Sequence, residues 1–191
     1  SLIVFNRLIV INNLNQNNRL TRKQPSKLLY IEFDGNAPSL LLKNRQYAPT
    51  NSQNTFFHYD SFWTLIFPRN VTFREVDILR GYIGIRMLQE IDGRVAYLSP
   101  NAVQIRNAHS YHKDYLQETR LYESIQRFVV DLDQWTCDKD ELKECFIDCI
   151  QMLVNKKHLC KSEVDFFRLW IKDLDSIGYK WPKINSNRAK D

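Results

Sequence analysis

Arg74, Asp77 and Arg80 recur at every third position in "FREVDILRGY". On a helix that spacing places the three on roughly one face. An acid near a helix start is favoured by the helix dipole, and exposed pairing would be a sufficient account of the trio. Inside a protein the same trio points to chemistry. A buried Arg-Asp-Arg cluster costs desolvation and seldom adds stability of its own. The acid there suits a general base, and the guanidiniums suit phosphate. A second candidate is Asp34, which closes an apolar stretch and precedes Gly35 and Asn36. Carboxylates at the C-terminal ends of strands sit where α/β sheets bind ligands, and an Asp there can hold Mg²⁺ or Mn²⁺ beside a diphosphate. D-G-N is equally a common turn tripeptide. A third is His109 in "RNAHSYHKD", with His112 three residues on. A lone histidine is more often structural, and no H-E-x-x-H spacing supports a metal there.

The elements that must carry these residues follow from periodicity. Residues 2–11 are apolar and β-rich, and residues 12–27 are Asn-rich, basic and loop-like. "LLYIEFD", residues 28–34, reads as a strand running into a turn. The aromatic stretch 55–68 ends at Pro68 and fits either a buried strand or a short helix flanked by strand, which periodicity does not separate. Ile78, Tyr82, Ile85, Leu88 and Ile91 fall at helical spacing, and Leu79, Ile83 and Met87 widen the stripe. Gly93 suits a left-handed C-terminal cap. "RVAYL" reads as the next strand, stopped by Ser99-Pro100. Three further helical stripes start at Leu121, Leu142 and Val164, the last behind a Ser162–Asp165 pair resembling a capping box. The fold class expected is therefore α/β, with a partial sheet and a C-terminal helical cap.

The 191 residues suggest one domain, and 43% hydrophobic with 13% aromatic residues can build a core. The net charge of +5 is dispersed. It favours phosphate-bearing ligands and gives no dense basic face, so nucleic acid is excluded as a partner. No apolar run reaches transmembrane length: "SLIVFNRLIVI" is broken by Asn6 and Arg7. The chain starts with Ser and lacks a signal-peptide layout, and the few strands read as part of a larger sheet. Cys137, Cys145, Cys149 and Cys160 form no C-x-x-C pair. They fit either small buried residues or disulfides in an oxidising lumen, for example Cys137 with Cys149.

Several short words share one resemblance. "QNTFFHYDSFW" (Gln53 to Trp63), Pro68, "REVDILRGY" (Arg74 to Tyr82), Ile91 with Gly93, "RNAHSYHKD" (Arg106 to Asp114), Trp135 to Cys137 and "IKDLDSIGYKWPKI" are similar to the STELLO-type glycosyltransferase family. The likeness covers about residues 30–184. It implies a GT-A-like fold, a nucleotide-sugar donor, and a glycan, lipid or protein acceptor. It also implies a Golgi setting, with an anchoring helix upstream. By resemblance Asp34 and His109 would hold Mn²⁺ or Mg²⁺, Asp77 would be the catalytic base, and Arg74, Arg80, Gly35, Asn36 and Arg106 would bind substrate. One departure stands out: where the family carries "Y-x-T-D-D-D-N", this chain has "YIEFDGN", keeping Asp34 but with Gly35 in place of an acid. The expected function is sugar transfer from a nucleotide sugar, and the alternative is a non-catalytic binding or scaffold relative. The expected organisation is an N-terminal strand and loop (1–27), a GT-A-like core (28–117), a helical region (118–184) and a frayed tail (185–191).

Overall fold

The computed structural model describes residues 2–12, 29–31, 34–106 and 110–185, with 2–12, 29–31 and 104–106 as strand backbone only. The Asn-rich loop, His109 and the tail beyond residue 185 lie outside the described residues. Helices dominate, beside a small mixed sheet. The strands are β1 (Leu2–Asn12), β2 (Leu29–Ile31), β3 (Leu40–Leu41), β4 (Thr55–Phe57) and β5 (Arg94–Arg106). The helices are α1 (Val76–Leu88), α2 (Tyr111–Gln134), α3 (Leu142–Asn155) and α4 (Ser162–Ser176), with a 3-10 helix at Tyr59–Leu65. The sheet runs β2-β1-β5-β3, and β4 also pairs with β1. The two long strands, β1 and β5, are parallel; β2, β3 and β4 pair antiparallel.

The core lies between α1, the 3-10 helix, α3 and α4. Trp63, Phe146 and Phe167 meet edge to face, with centroids 5.2 Å apart at each step. All three are at most 1% exposed, and burying each ring contributes roughly 2–3 kcal/mol. The indole N–H of Trp170 donates to the Trp63 carbonyl at 2.9 Å and ties α4 to the 3-10 helix. Helix α1 is enclosed on most sides: Leu79 through Leu88 are buried except Gly81, which is half-buried. Wide apolar coverage of this kind is what the broad stripe in the sequence predicts.

The stretch 55–68 takes the second of its two alternatives, a short helix beside a strand: β4 and the 3-10 helix, which is capped by His58 accepting from the Asp60 N–H. Other local expectations change. At the end of α1 the left-handed residue is Asp92 (φ 53°), not Gly93. Gly93 is required instead by close approach, since a Cβ there would lie 2.7 Å from the Leu88 side chain. β5 continues through Ser99-Pro100, because a bulge against β1 absorbs the proline. Helix α2 begins at Tyr111, ahead of the apolar stripe at Leu121, with the Ser110 hydroxyl accepting from the Lys113 N–H at 3.3 Å. Its first turns face solvent, so hydrophobic periodicity is silent there. Ser162 lies inside α4, and its hydroxyl accepts from Asn70 rather than capping the helix. Cys145 pairs with Cys137, not Cys149 with Cys137; Cys149 stays a buried thiol and Cys160 an exposed one.

Candidate active site

Asp77 sits in the first turn of α1, half-buried, where the unpaired N–H groups and the dipole favour a carboxylate. Over it lies the loop 50–55, made by β4 and the turn before it. The Ser52 N–H donates to Asp77 Oδ2 at 3.1 Å. The Arg80 Nη2 donates to Ser52 Oγ, also at 3.1 Å. Ser52 thus joins the acid to the guanidinium one turn further along.

The loop is fixed from within and from below. Asn51 Oδ1 accepts from the Gln53 N–H at 3.0 Å. The Thr55 hydroxyl donates to the carbonyls of Asn51 and Gln53 at 3.0 and 3.1 Å. Thr50 is buried against Gly81, where a Cβ would overlap the Thr50 hydroxyl. Gly81 is therefore the residue that lets the loop descend onto α1. Asn54 takes a left-handed backbone (φ 49°) and donates through Nδ2 to Asn101 Oδ1 at 2.8 Å.

The two arginines of the sequence trio part company. Arg80 is 6% exposed, with its guanidinium 4.9 Å from the Phe57 centroid and 4.8 Å from that of Phe67. Burial pushes its pKa down to about 10, against the opposing pull of Asp77. Arg74 turns the other way and forms an ion pair with Asp114 in α2. Both partners are largely shielded, at 29% and 16% side-chain exposure. The Thr72 hydroxyl reaches the Gln117 carbonyl beside it at 3.5 Å. Arg74 and Asp114 therefore brace α1 to α2.

Asp34 is exposed. Its Oδ1 accepts from the Asn36 N–H at 2.9 Å, and its carbonyl accepts from the Ala37 N–H at 3.2 Å. This is the Asx turn that D-G-N favours. Gly35 and Asn36 are exposed in the same turn. No hydrogen bond or ion pair among the described residues joins Asp34 to Asp77. Arg106 ends β5, opposite Asn12 of β1. His109 falls outside the described residues, and His112 is exposed on α2. Among the described residues no group of three His, Cys, Asp or Glu converges in a way that could hold a metal ion. Asp34 alone offers one carboxylate where a divalent cation takes several oxygen ligands, so the described residues do not by themselves build such a site.

Sequence reasoning missed Ser52, Asn54, Asn101 and Asp114. Asp114 ends the very word that contains Arg106, but its pairing spans 40 residues and no spacing rule reaches that far. Asn54 lies inside the Gln53–Trp63 word, where an unbonded Asn in a turn would have carried no meaning.

Comparison with known proteins comes out in one direction. Residues 74–191 match the family model described as STELLO glycosyltransferases. The chain is 30% identical over 166 residues to the probable glycosyltransferases STELLO1 and STELLO2 of Arabidopsis thaliana. Each alignment covers 87% of this chain and 21% of the relative, so the chain spans about a fifth of their length. The chain belongs to the STELLO glycosyltransferase family.

Proposed function

We propose that this chain forms part of a GT-A-like glycosyltransferase that moves a sugar from a nucleoside diphosphate to an acceptor hydroxyl, with Asp77 as the general base. The observation that carries the reading is the aimed carboxylate: Asp77 lies in the first turn of α1, inside the family-matched segment, with Oδ2 held by the Ser52 N–H. In the reaction Asp77 takes the proton of the acceptor hydroxyl. The freed oxygen forms its bond to the anomeric carbon while the bond from that carbon to the diphosphate oxygen breaks, and the diphosphate leaves with the electron pair. Donor binding is assigned to the exposed Asp34–Asn36 turn and to Arg106, with Arg80 joined to the site through Ser52 Oγ, while Arg74 is committed to Asp114 and takes no part. Manganese or magnesium dependence belongs to this proposal through Asp34 and His109, and no step above is routed through the ion.

A secretory-lumen setting is supported by the Cys137–Cys145 disulfide, since such bonds persist in oxidising compartments. Among the described residues no helix is long and apolar enough to cross a membrane. The anchor expected from resemblance would be contributed by other parts of a longer protein.

The test is hydrolysis and transfer across a panel of nucleotide sugars, with and without Mn²⁺. Turnover that disappears in Asp77→Asn while the melting temperature holds supports the base assignment. Full activity in Asp77→Asn would refute it. A second reading is a non-catalytic relative that keeps the fold for binding. The lone carboxylate at Asp34 favours it, and nucleotide-sugar binding without turnover in the full-length protein would support it.

A further inference from the structure

β1 and β5 run in parallel register until Asn6 pairs with Leu98, and the register resumes with Leu8 opposite Ala102. Between those points β1 has Arg7 alone, while β5 carries Ser99, Pro100 and Asn101. A bulge of this kind re-aims side chains out of the ladder, and proline is tolerated there because no ladder N–H is required. The side chains on either side of Pro100 hold two different loops. The Ser99 hydroxyl donates to the Ala37 carbonyl at 2.9 Å, and the Ala37 N–H donates to the Asp34 carbonyl. Asn101 Oδ1 accepts from Asn54 Nδ2 at 2.8 Å, in the loop whose Ser52 N–H holds Asp77. Just before the bulge, the Tyr97 hydroxyl donates to the Pro49 carbonyl at 3.2 Å, where that same loop begins.

From this geometry we infer that the Ser99–Pro100–Asn101 bulge is the clamp that sets the Asp34 turn and the Asp77 loop at a fixed separation, with Ser99 and Asn101 as positioning residues of the transferase site. The inference rests on the functional reading above and adds to it a device on neither loop. No hydrogen bond or ion pair among the described residues joins Asp34 to Asp77 directly. A substrate gripped by one and activated by the other needs a third body to fix their spacing, and rigid strands hold such spacing better than loops do. The bulge supplies it with two short polar side chains attached to the longest strand pairing in the sheet.

Hydrogen–deuterium exchange on the purified chain tests the clamp without recourse to activity. Asn101→Ala is expected to speed exchange in residues 50–55 and, through the shared bulge, in residues 34–37; Ser99→Ala is expected to do the converse. Acceleration confined to the loop each residue touches would overturn the clamp. Turnover tests the role. Asn101→Ala and Asn54→Ala should each lower kcat roughly tenfold, with KM for the donor little changed, as expected for misplacement below an ångström. The double variant should be no worse than either single one, because both remove the same bond. Asn101→Asp retains the acceptor oxygens and should recover most of the rate. Additive losses, or losses that merely track the melting temperature, would reject the positioning role. A full-length protein inactive with every donor would refute the transferase reading, leaving the clamp to be judged by the exchange result.

Discussion

Arg74 donates its guanidinium to Asp114, across the gap between the start of α1 and the start of α2. The pair is largely shielded from solvent, so breaking it leaves a partly desolvated charge behind. Arg74→Ala and Asp114→Ala should each lower stability by roughly 1–2 kcal/mol, between the values for exposed and buried pairs. The reversed pair Arg74→Asp with Asp114→Arg should recover much of that loss in urea unfolding. Equal damage in the single and the reversed double variants would show that the two charges do not act together.

The Ser52 loop reaches α1 only because position 81 lacks a side chain. A methyl group at Gly81 would overlap the Thr50 hydroxyl, so either the loop or the helix must shift. Gly81→Ala should cost about 1–3 kcal/mol, as overpacking does, despite alanine's better helix propensity. If the glycine were merely helical filler, thermal melting would show the same substitution as stabilising.

Glu163 is 0% exposed, and its Oε1 accepts from the Arg69 N–H, the Asn70 N–H and Asn70 Nδ2 at 3.0, 2.9 and 2.7 Å. One carboxylate oxygen thus organises the turn that leads into α1. Glu163→Ala would strand those donors and should destabilise by roughly 2–4 kcal/mol. Glu163→Gln keeps the accepting oxygen and should be much milder. Similar denaturation midpoints for the two variants would contradict this account.

The thiols separate by environment. Cys160 is exposed, whereas burial pushes the Cys149 pKa up to about 12 and leaves it a protonated, unreactive thiol. Alkylation of the native protein should therefore label Cys160 alone. Unfolding without reductant should add Cys149, and reduction should add Cys137 and Cys145. Mass spectrometry finding Cys149 paired, or all four sites labelled before reduction, would contradict the observed pairing.

Asp131 in α2 is held below the ordinary aspartate value of 3.8, first by its hydrogen bond to His158 Nε2 at 2.7 Å and then by Lys156. Arg127 also faces it, at 3.8 Å. A carboxylate with a depressed folded-state pKa contributes stability that is present above its unfolded pKa and is lost as pH falls through the folded value. The loss attributable to Asp131 should thus come below about pH 4. Asp131→Asn should be less stable than wild type at neutral pH, and the difference should shrink toward pH 2. A constant difference across that range would detach the effect from ionisation.

The sequence determined much of this protein by itself. The wide apolar stripe over residues 78–91 specified a buried helix, the later stripes specified three more, and the shared words around Arg74–Tyr82 and Arg106–Asp114 specified the family. Those features are local: periodicity reports burial one element at a time, and family words preserve residue order. Tertiary structure decided where the polar groups went. It sent Arg74 to Asp114, set Arg80 between Phe57 and Phe67, placed the Ser52 N–H on Asp77, and carried β5 past Pro100 by a bulge. Each outcome depends on which distant side chain arrives within hydrogen-bonding or ring-contact range once the core has closed, and neither composition nor spacing encodes that distance.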